Sequence, residues 1–213
     1  MRNRIFTERI YEQTYRWVGA RPITFEQFLD LDFGDSYVEL IDGTGAERPA
    51  VRIEHELLFN FLYRLLGDFA EERKLGLVLG SRTPVEIGPF RGRLPDIVFV
   101  RGDRAETVRQ KAIYGPPDLV IEISSPSDRP SDRVALETDY CTIGVPEIWF
   151  LDSKRREGRV LRKSGSGYAE ETVAGGILAS TSVDGFAVPI EWLFTEPRPT
   201  IREALDRLLS GPV

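Results

Sequence analysis

Two short runs place carboxylates where an apolar strand would otherwise be continuous. LPDIVFV (Leu94–Val100) and PDLVIEI (Pro117–Ile123) share one form, opening on Pro-Asp and continuing in β-branched and aromatic residues. Such residues favour a pleated, half-buried surface. Strand alternation puts Asp96, Val98 and Val100 on one face, with Ile97 and Phe99 on the other. In the second run Asp118, Val120 and Glu122 share a face, opposite the apolar Leu119, Ile121 and Ile123. Glu122 therefore sits inside an apolar strand, where a carboxylate needs a cationic partner, a proton or a metal ion. Asp96, at the head of a neighbouring strand, would complete a metal pair. The plainer alternative is that Pro-Asp starts each strand and that Glu122 meets an arginine.

The elements around these runs set their positions. Downstream of the Pro126–Pro130 loop, Ser131–Ile143 reads as a helix on which Arg133, Leu136 and Tyr140 share a face, with Gly144 as its C-cap. Pro146–Asp152 is then a strand with Trp149 in the core. Upstream, Thr24 with Gln27 three residues later forms a capping-box pattern before a helix over Phe25–Leu31. Tyr37–Ile41 reads as a strand ending in the turn dipeptide Asp42-Gly43. Over His55–Glu72, residues Leu58, Phe61, Leu62, Leu65, Leu66 and Phe69 recur at helical spacing and make one apolar face. Leu75–Ile87 reads as a strand kinked near Gly80, and Gly88–Gly92 turns into the Asp96 strand. Towards the C-terminus the pattern predicts a basic hairpin over Lys154–Lys163 turning at Glu157-Gly158, then strands over Tyr168–Val173 and Val183–Val188. A turn of helix over Pro189–Phe194 and a helix capped by Thr200 and running to Leu209 complete it. In the first 20 residues, Ile5, Ile10, Tyr11, Tyr15, Trp17 and Val18 line an imperfect helical stripe, suited to packing on the domain or on a second subunit.

Composition narrows the chemistry. A chain of 213 residues suits one domain with a substantial core. One cysteine, Cys141, excludes an intrachain disulfide framework and reads as a small buried apolar residue. His55 is the only histidine, so His-pair zinc sites are excluded; it stands either near a phosphate or metal, or as a local hydrogen-bonding residue. No long uncharged apolar run and no signal-peptide pattern occur, which sets a cytoplasmic expectation. A net charge of −6 argues against a broadly basic DNA binder but leaves room for a local basic cleft. Arg82, Arg91, Arg93, Arg101, Arg104, Arg109 and Lys111 are either phosphate contacts or a solvated rim.

Taken in order and spacing, ITFEQFLDL, YVELIDG, PDIVFV, PDLVIEISSPSDR and GVPEIWFLD resemble the Uma2 family of restriction-endonuclease-like proteins, over roughly Pro22 to Phe194. The resemblance implies an α/β (α+β) fold: a restriction-endonuclease-like core, its mixed central sheet flanked by helices, with added C-terminal strands. It divides the chain into an N-terminal extension (1–21) and a nuclease domain (22–213) ending in a helix. It implies that Asp96, Glu122 and the backbone carbonyl of Ile123 hold Mg²⁺ or Mn²⁺, hard cations suited to oxygen ligands, for hydrolysis of phosphodiester bonds in DNA. Glu39 becomes a further active-site acid near the metal, against its plainer reading as a half-exposed strand residue.

The sequence departs from the family at the lysine that would orient water and stabilise developing charge. In this fold that lysine usually stands two residues after the second acid, at Ser124 here; in the Uma2 family it comes from the next helix, four residues before the tyrosine, at Leu136. Arg133, one turn earlier on the same face, is the substitute for its charge: it can clamp a phosphate but, staying protonated, is a poor base. Two function classes follow. One is a divalent-metal-dependent DNA endonuclease, slowed by the missing lysine. The other is a catalytically inactive nuclease-like protein that binds nucleic acid or a protein partner. Asp96 and Glu122 favour the first; Ser124, Leu136 and the net acidity favour the second. Double-strand cleavage needs two sites, so a homodimer or larger homo-oligomer is expected.

Overall fold

The computed structural model describes residues 6–9, 15–18, 21–34, 36–48, 52–80, 82–124 and 129–211. In chain order the elements are β1 (Phe6–Arg9), β2 (Tyr15–Val18), α1 (Phe25–Leu29), β3 (Val38–Ile41), β4 (Thr44–Glu47), α2 (Ile53–Glu72), β5 (Gly76–Gly80), β6 (Val85–Gly88), β7 (Arg91–Arg93) and β8 (Ile97–Arg101). A 3₁₀ segment (Gly102–Thr107) leads on to β9 (Leu119–Ser124), α3 (Pro130–Ile143), β10 (Glu147–Asp152), β11 (Glu157–Ser164), β12 (Gly167–Val173), β13 (Ile177–Ala179), β14 (Ala187–Pro189), α4 (Glu191–Phe194) and α5 (Ile201–Leu209).

The central sheet runs β12-β11-β10-β9-β8-β5 and is mixed: β9 and β10 are parallel, and the other pairs are antiparallel. A parallel pair needs a crossover, and α3 supplies it. A second sheet, β1-β2-β4-β3-β7-β6, is antiparallel throughout. Alternation sorts the central sheet into two apolar faces. Ile97, Phe99, Ile121, Ile123, Trp149 and Leu151 pack on the Leu58–Phe69 face of α2. Val98, Val100, Val120, Ile148 and Phe150 pack with Tyr140 of α3, and half-buried Leu136 and Cys141 lie against them. The mixed sheet flanked by helices is the architecture the sequence implies. The capping boxes of Thr24 with Gln27 and of Thr200 with Glu203 are formed, and Gly144 caps α3 in the left-handed conformation at φ 78°.

Four local expectations are corrected. The N-terminal stripe is not helical where described: β1 and β2 pair as antiparallel strands, and Trp17 of β2 pairs with Gly45 of β4. Tyr15, Trp17 and Val18 have high strand propensity, and an available sheet edge overrides a weak helical pattern. Ile5, Ile10 and Tyr11 lie outside the described residues. The Leu75–Ile87 stretch divides into β5 and β6, which belong to different sheets, so the kink is a change of sheet. The basic hairpin turns at 153–156 and not at Glu157-Gly158, because Asp152 Oδ1 accepts from the backbone N–H groups of Lys154 and Arg155 (both 3.0 Å) and holds an Asx turn. The Val183–Val188 strand is reduced to Ala187–Pro189, because Ser180 Oγ accepts from the N–H groups of Ser182 and Val183 and fixes that stretch as a loop. Among the described residues no helix is long and apolar enough to cross a membrane.

Candidate active site

The β8–β9 register brings the two acids together. Ile97 pairs with Ile121, so one step beyond, Asp96 faces Glu122 across the strands. Both belong to the α3 face of the sheet, with only 3% and 4% of their surface exposed. Burial on this scale demands partners for every polar atom. Asp96 Oδ2 accepts from the Ile123 backbone N–H at 2.8 Å and lies 3.1 Å from His55 Nε2, on the first turn of α2. Glu122 Oε1 accepts from the Tyr140 hydroxyl at 2.5 Å, and Glu122 Oε2 lies 3.7 Å from Arg48 Nη2.

The second sheet adds its own acid. Glu39 of β3 is buried, with 6% exposed; its Oε2 accepts from Arg93 Nη1 at 2.9 Å and its Oε1 from the Leu94 N–H at 3.0 Å. Arg93 Nε also donates to Asp139 Oδ2 at 2.6 Å, and Arg91 Nε donates to Asp139 Oδ1 at 2.7 Å. Asp139 precedes Tyr140 on α3, so this helix is tied to β7 through Asp139 and to β9 through Tyr140. The Leu94 carbonyl accepts from Arg48 Nη1 at 2.8 Å, which also lies 3.8 Å from Glu39 Oε1. Residues from β3, β7, β9, α2, α3, the segment after β4 and the segment leading into β8 thus meet at one place.

The electrostatics follow from the burial. Burial and then the charge of Asp96 push the Glu122 carboxyl up to about 8, against the charge of Arg48 and the Tyr140 hydrogen bond. Burial, with the charges of Glu122 and Glu39, holds the Tyr140 hydroxyl well above its ordinary value. At His55 burial opposes the charged ring, but the hydrogen bond and charge of Asp96 outweigh it and raise the pKa. Arg48 and Arg93 are likewise desolvated, yet their acidic neighbours raise both further.

Asp96, Glu122 and Glu39 are therefore gathered, and the polypeptide at Ile123 is in contact with Asp96 through its N–H. Arg133 stands elsewhere: its Nη1 pairs with Asp152 Oδ2 at 3.4 Å, at the end of β10, where Asp152 lies beside Ser124 in the parallel register. Leu136 packs against the Val98–Val120–Ile148 cluster. Among the described residues no three His, Cys, Asp or Glu side chains are drawn into a ready metal cage, so the acid pair of Asp96 and Glu122 is what a cation would find. The basic rim is largely spoken for: Arg104 pairs with Asp118 at 2.7 Å, and Arg101 and Lys111 pair with Asp103 and Asp30.

Sequence reasoning missed Arg48 and Asp139. Arg48 follows β4 without a motif, and of its two acids Glu122 lies in a segment far along the chain. Asp139 had a usable signal, because Arg91 and Arg93 share one strand face and need an acceptor. His55 is more than a local helix-start residue, since its partner Asp96 is 41 positions away.

The comparisons with known proteins agree with this architecture. Residues 25–191 match the family model described as "Uma2: Putative restriction endonuclease". The fold is similar to a crystal structure described as "a putative nuclease belonging to DUF820 from Anabaena variabilis ATCC 29413", with a TM-score of 0.69 and 18% sequence identity over 81% of this chain and 98% of that one. No curated protein matches the sequence.

Proposed function

The chain belongs to the Uma2 family, and on that premise we propose that it hydrolyses phosphodiester bonds of DNA with a divalent cation, Mg²⁺ or Mn²⁺, held by Asp96, Glu122 and the Ile123 carbonyl. The observation that carries the reading is the buried Asp96–Glu122 pair, in which Glu122 is pushed up to about 8. Such a pair is short of positive charge, and its hard oxygen donors suit these ions. When bound, the cation supplies Lewis-acid polarisation of the phosphoryl oxygen and activation of the attacking water.

The chain's own residues prepare that site. The Ile123 N–H and His55 hold Asp96 through Oδ2, which leaves Oδ1 to a ligand. Tyr140 holds Glu122 through Oε1, and Oε2 has only the longer, 3.7 Å contact with Arg48 Nη2 among the described residues. Glu39 acts as the third acid by fixing Arg93 and balancing Arg48. Arg133, at the Ser124 end of β9, holds a flanking phosphate. Leu136 provides no proton and no charge, so turnover is slow. That same packing of Leu136 into the α3 cluster favours the second reading, an inactive nuclease-like protein that binds nucleic acid or a protein partner.

The reading includes a cytoplasmic location and a homodimer or larger homo-oligomer, with an N-terminal extension (1–21) whose strands β1 and β2 extend the second sheet of the 22–213 domain. The test is cleavage of linear, nicked and single-stranded DNA, and of RNA, with Mg²⁺, Mn²⁺ or a chelator. Metal-dependent DNA cleavage that Asp96→Ala and Glu122→Ala abolish is the expected result. Cleavage that survives a chelator or either substitution would refute the assignment.

A further inference from the structure

Arg48 differs from the charged residues it touches. Its side chain keeps 28% of its surface exposed, whereas Glu39, Asp96, Glu122 and Arg93 keep between 5% and 8%. Its contacts with the acids are long, 3.8 Å to Glu39 and 3.7 Å to Glu122, against 2.9 and 2.6 Å in the pairs that Arg93 makes with Glu39 and Asp139. Among the described residues a single short bond, Nη1 to the Leu94 carbonyl at 2.8 Å, anchors the guanidinium, and the same residue holds Glu39 through its backbone N–H. The fork is thus fixed at one end, and Nη2 is not consumed by a short bond to either acid. Arg93, by contrast, spends Nε and Nη1 on short bonds to Asp139 and Glu39.

An anionic diester approaching Asp96 and Glu122 meets buried negative charge, and it needs a fixed cation at the mouth of the site. None of the chain's four lysines (Lys74, Lys111, Lys154 and Lys163) lies in β3, β7, β8, β9, α2 or α3. We propose that Arg48 is the residue that grips the scissile phosphate, in place of the lysine absent at Ser124 and Leu136. This inference rests on the phosphodiesterase reading above. A guanidinium matches two phosphate oxygens at once and stays protonated, so it supplies charge and orientation but no proton transfer. Activation of the water is then left to the other groups of the site, which fits a slow enzyme.

The test compares the parent with Arg48→Gln and Arg48→Lys, each checked for a cooperative thermal melt. Binding to a short labelled DNA duplex is followed by anisotropy in Ca²⁺ over a range of salt concentrations, and Mn²⁺ binding is followed by calorimetry. Losing one phosphate contact lowers the slope of log affinity against log salt by roughly 0.9. Arg48→Gln should show that drop and roughly tenfold weaker DNA binding, with Mn²⁺ affinity equal to or tighter than the parent. Arg48→Lys should restore the slope. If Arg48→Gln keeps the parent's salt slope and DNA affinity while binding Mn²⁺ more tightly, Arg48 merely balances the acids and the proposal is overturned. A parent protein that binds Mn²⁺ but no nucleic acid would overturn the phosphodiesterase reading and this proposal with it, a result distinct from the first.

Discussion

Loading of the site with metal should expel a proton. Glu122 is pushed up to about 8 by burial and by Asp96, so at pH 7 about nine-tenths of the molecules carry a proton there. A metal ligand must give up that proton. Each ion bound at pH 7 should therefore release about 0.9 proton from this group, falling to about 0.1 at pH 9. Apparent affinity should rise about tenfold per pH unit below 8 and level off above it. Between pH 6 and pH 9 the gain is on the order of 10²-fold. With Glu122 only 4% exposed, solvent screening does not erase the effect. Calorimetric titrations of Mn²⁺ in two buffers of different ionisation enthalpy measure the released proton directly. Asp96→Asn removes the charge that raises Glu122, so the plateau should move to lower pH even as binding weakens. Glu122→Gln should bind poorly and release nothing. An affinity that is flat from pH 6 to pH 9, with a binding enthalpy independent of buffer, would refute the reasoning.

Other outcomes follow from the same contacts. The folded pKa of Glu122 lies above its unfolded value of 4.5, so its contribution to stability is fully present below 4.5 and is lost as pH rises through about 8; melts of the metal-free protein should fall across that window, less so in Glu122→Gln. Asp139→Asn weakens the acceptor for two arginines, one of them buried, and should cost about 3 kcal/mol by urea denaturation; a loss under about 0.5 kcal/mol would deny the α3–β7 tie. Tyr140→Phe removes the short bond to Glu122, costing about 1–2 kcal/mol and raising the Glu122 pKa, which shifts the metal-binding plateau to higher pH. Leu136→Lys should lower the melting temperature, because Leu136 packs on the α3 cluster, and should speed cleavage roughly 10²–10³-fold if that position faces the reacting phosphate; a stable, metal-binding variant with no gain would refute the lysine-position argument.

The parts of the fold that were legible are those with strong local periodicity. The Leu58–Phe69 stripe and the alternation through Ile97–Val100 and Leu119–Ile123 each encode a face, and the faces found are those expected. Some of what failed turned on local side-chain turns, as at Asp152, and some was decided by distant partners. Phe6–Arg9 and Tyr15–Val18 are strands because β4 offers an edge. The loop before β14 is held by Ser180 together with the buried Glu147, which is itself held by the Trp149 indole and accepts through Oε2 from the Ser180 hydroxyl and from the N–H groups of Thr181 and Ser182. No window of sequence around Val183 contains that acceptor.

The site divides along the same line, and the division bears on mechanism. Asp96 and Glu122 were readable because a carboxylate interrupting an apolar strand is costly and therefore conspicuous. Cations leave no such mark, since arginine is ordinary on a surface and acquires meaning only from what folds against it. Arg133 shared a helix face with Tyr140 and so looked like the natural source of charge at the acids, but it pairs with Asp152 at the end of β10, beside Ser124, where only a flanking phosphate comes within its reach. Arg48, in a segment without periodicity, is the cation held within 4 Å of both Glu39 and Glu122. If the charge that meets the phosphate comes from the β4–α2 connection and not from α3, then α3 is free to keep a leucine at position 136. The missing lysine is then no evidence against phosphate binding. It bears on the rate of turnover, because a permanently protonated guanidinium can hold the phosphate but cannot take a proton from water.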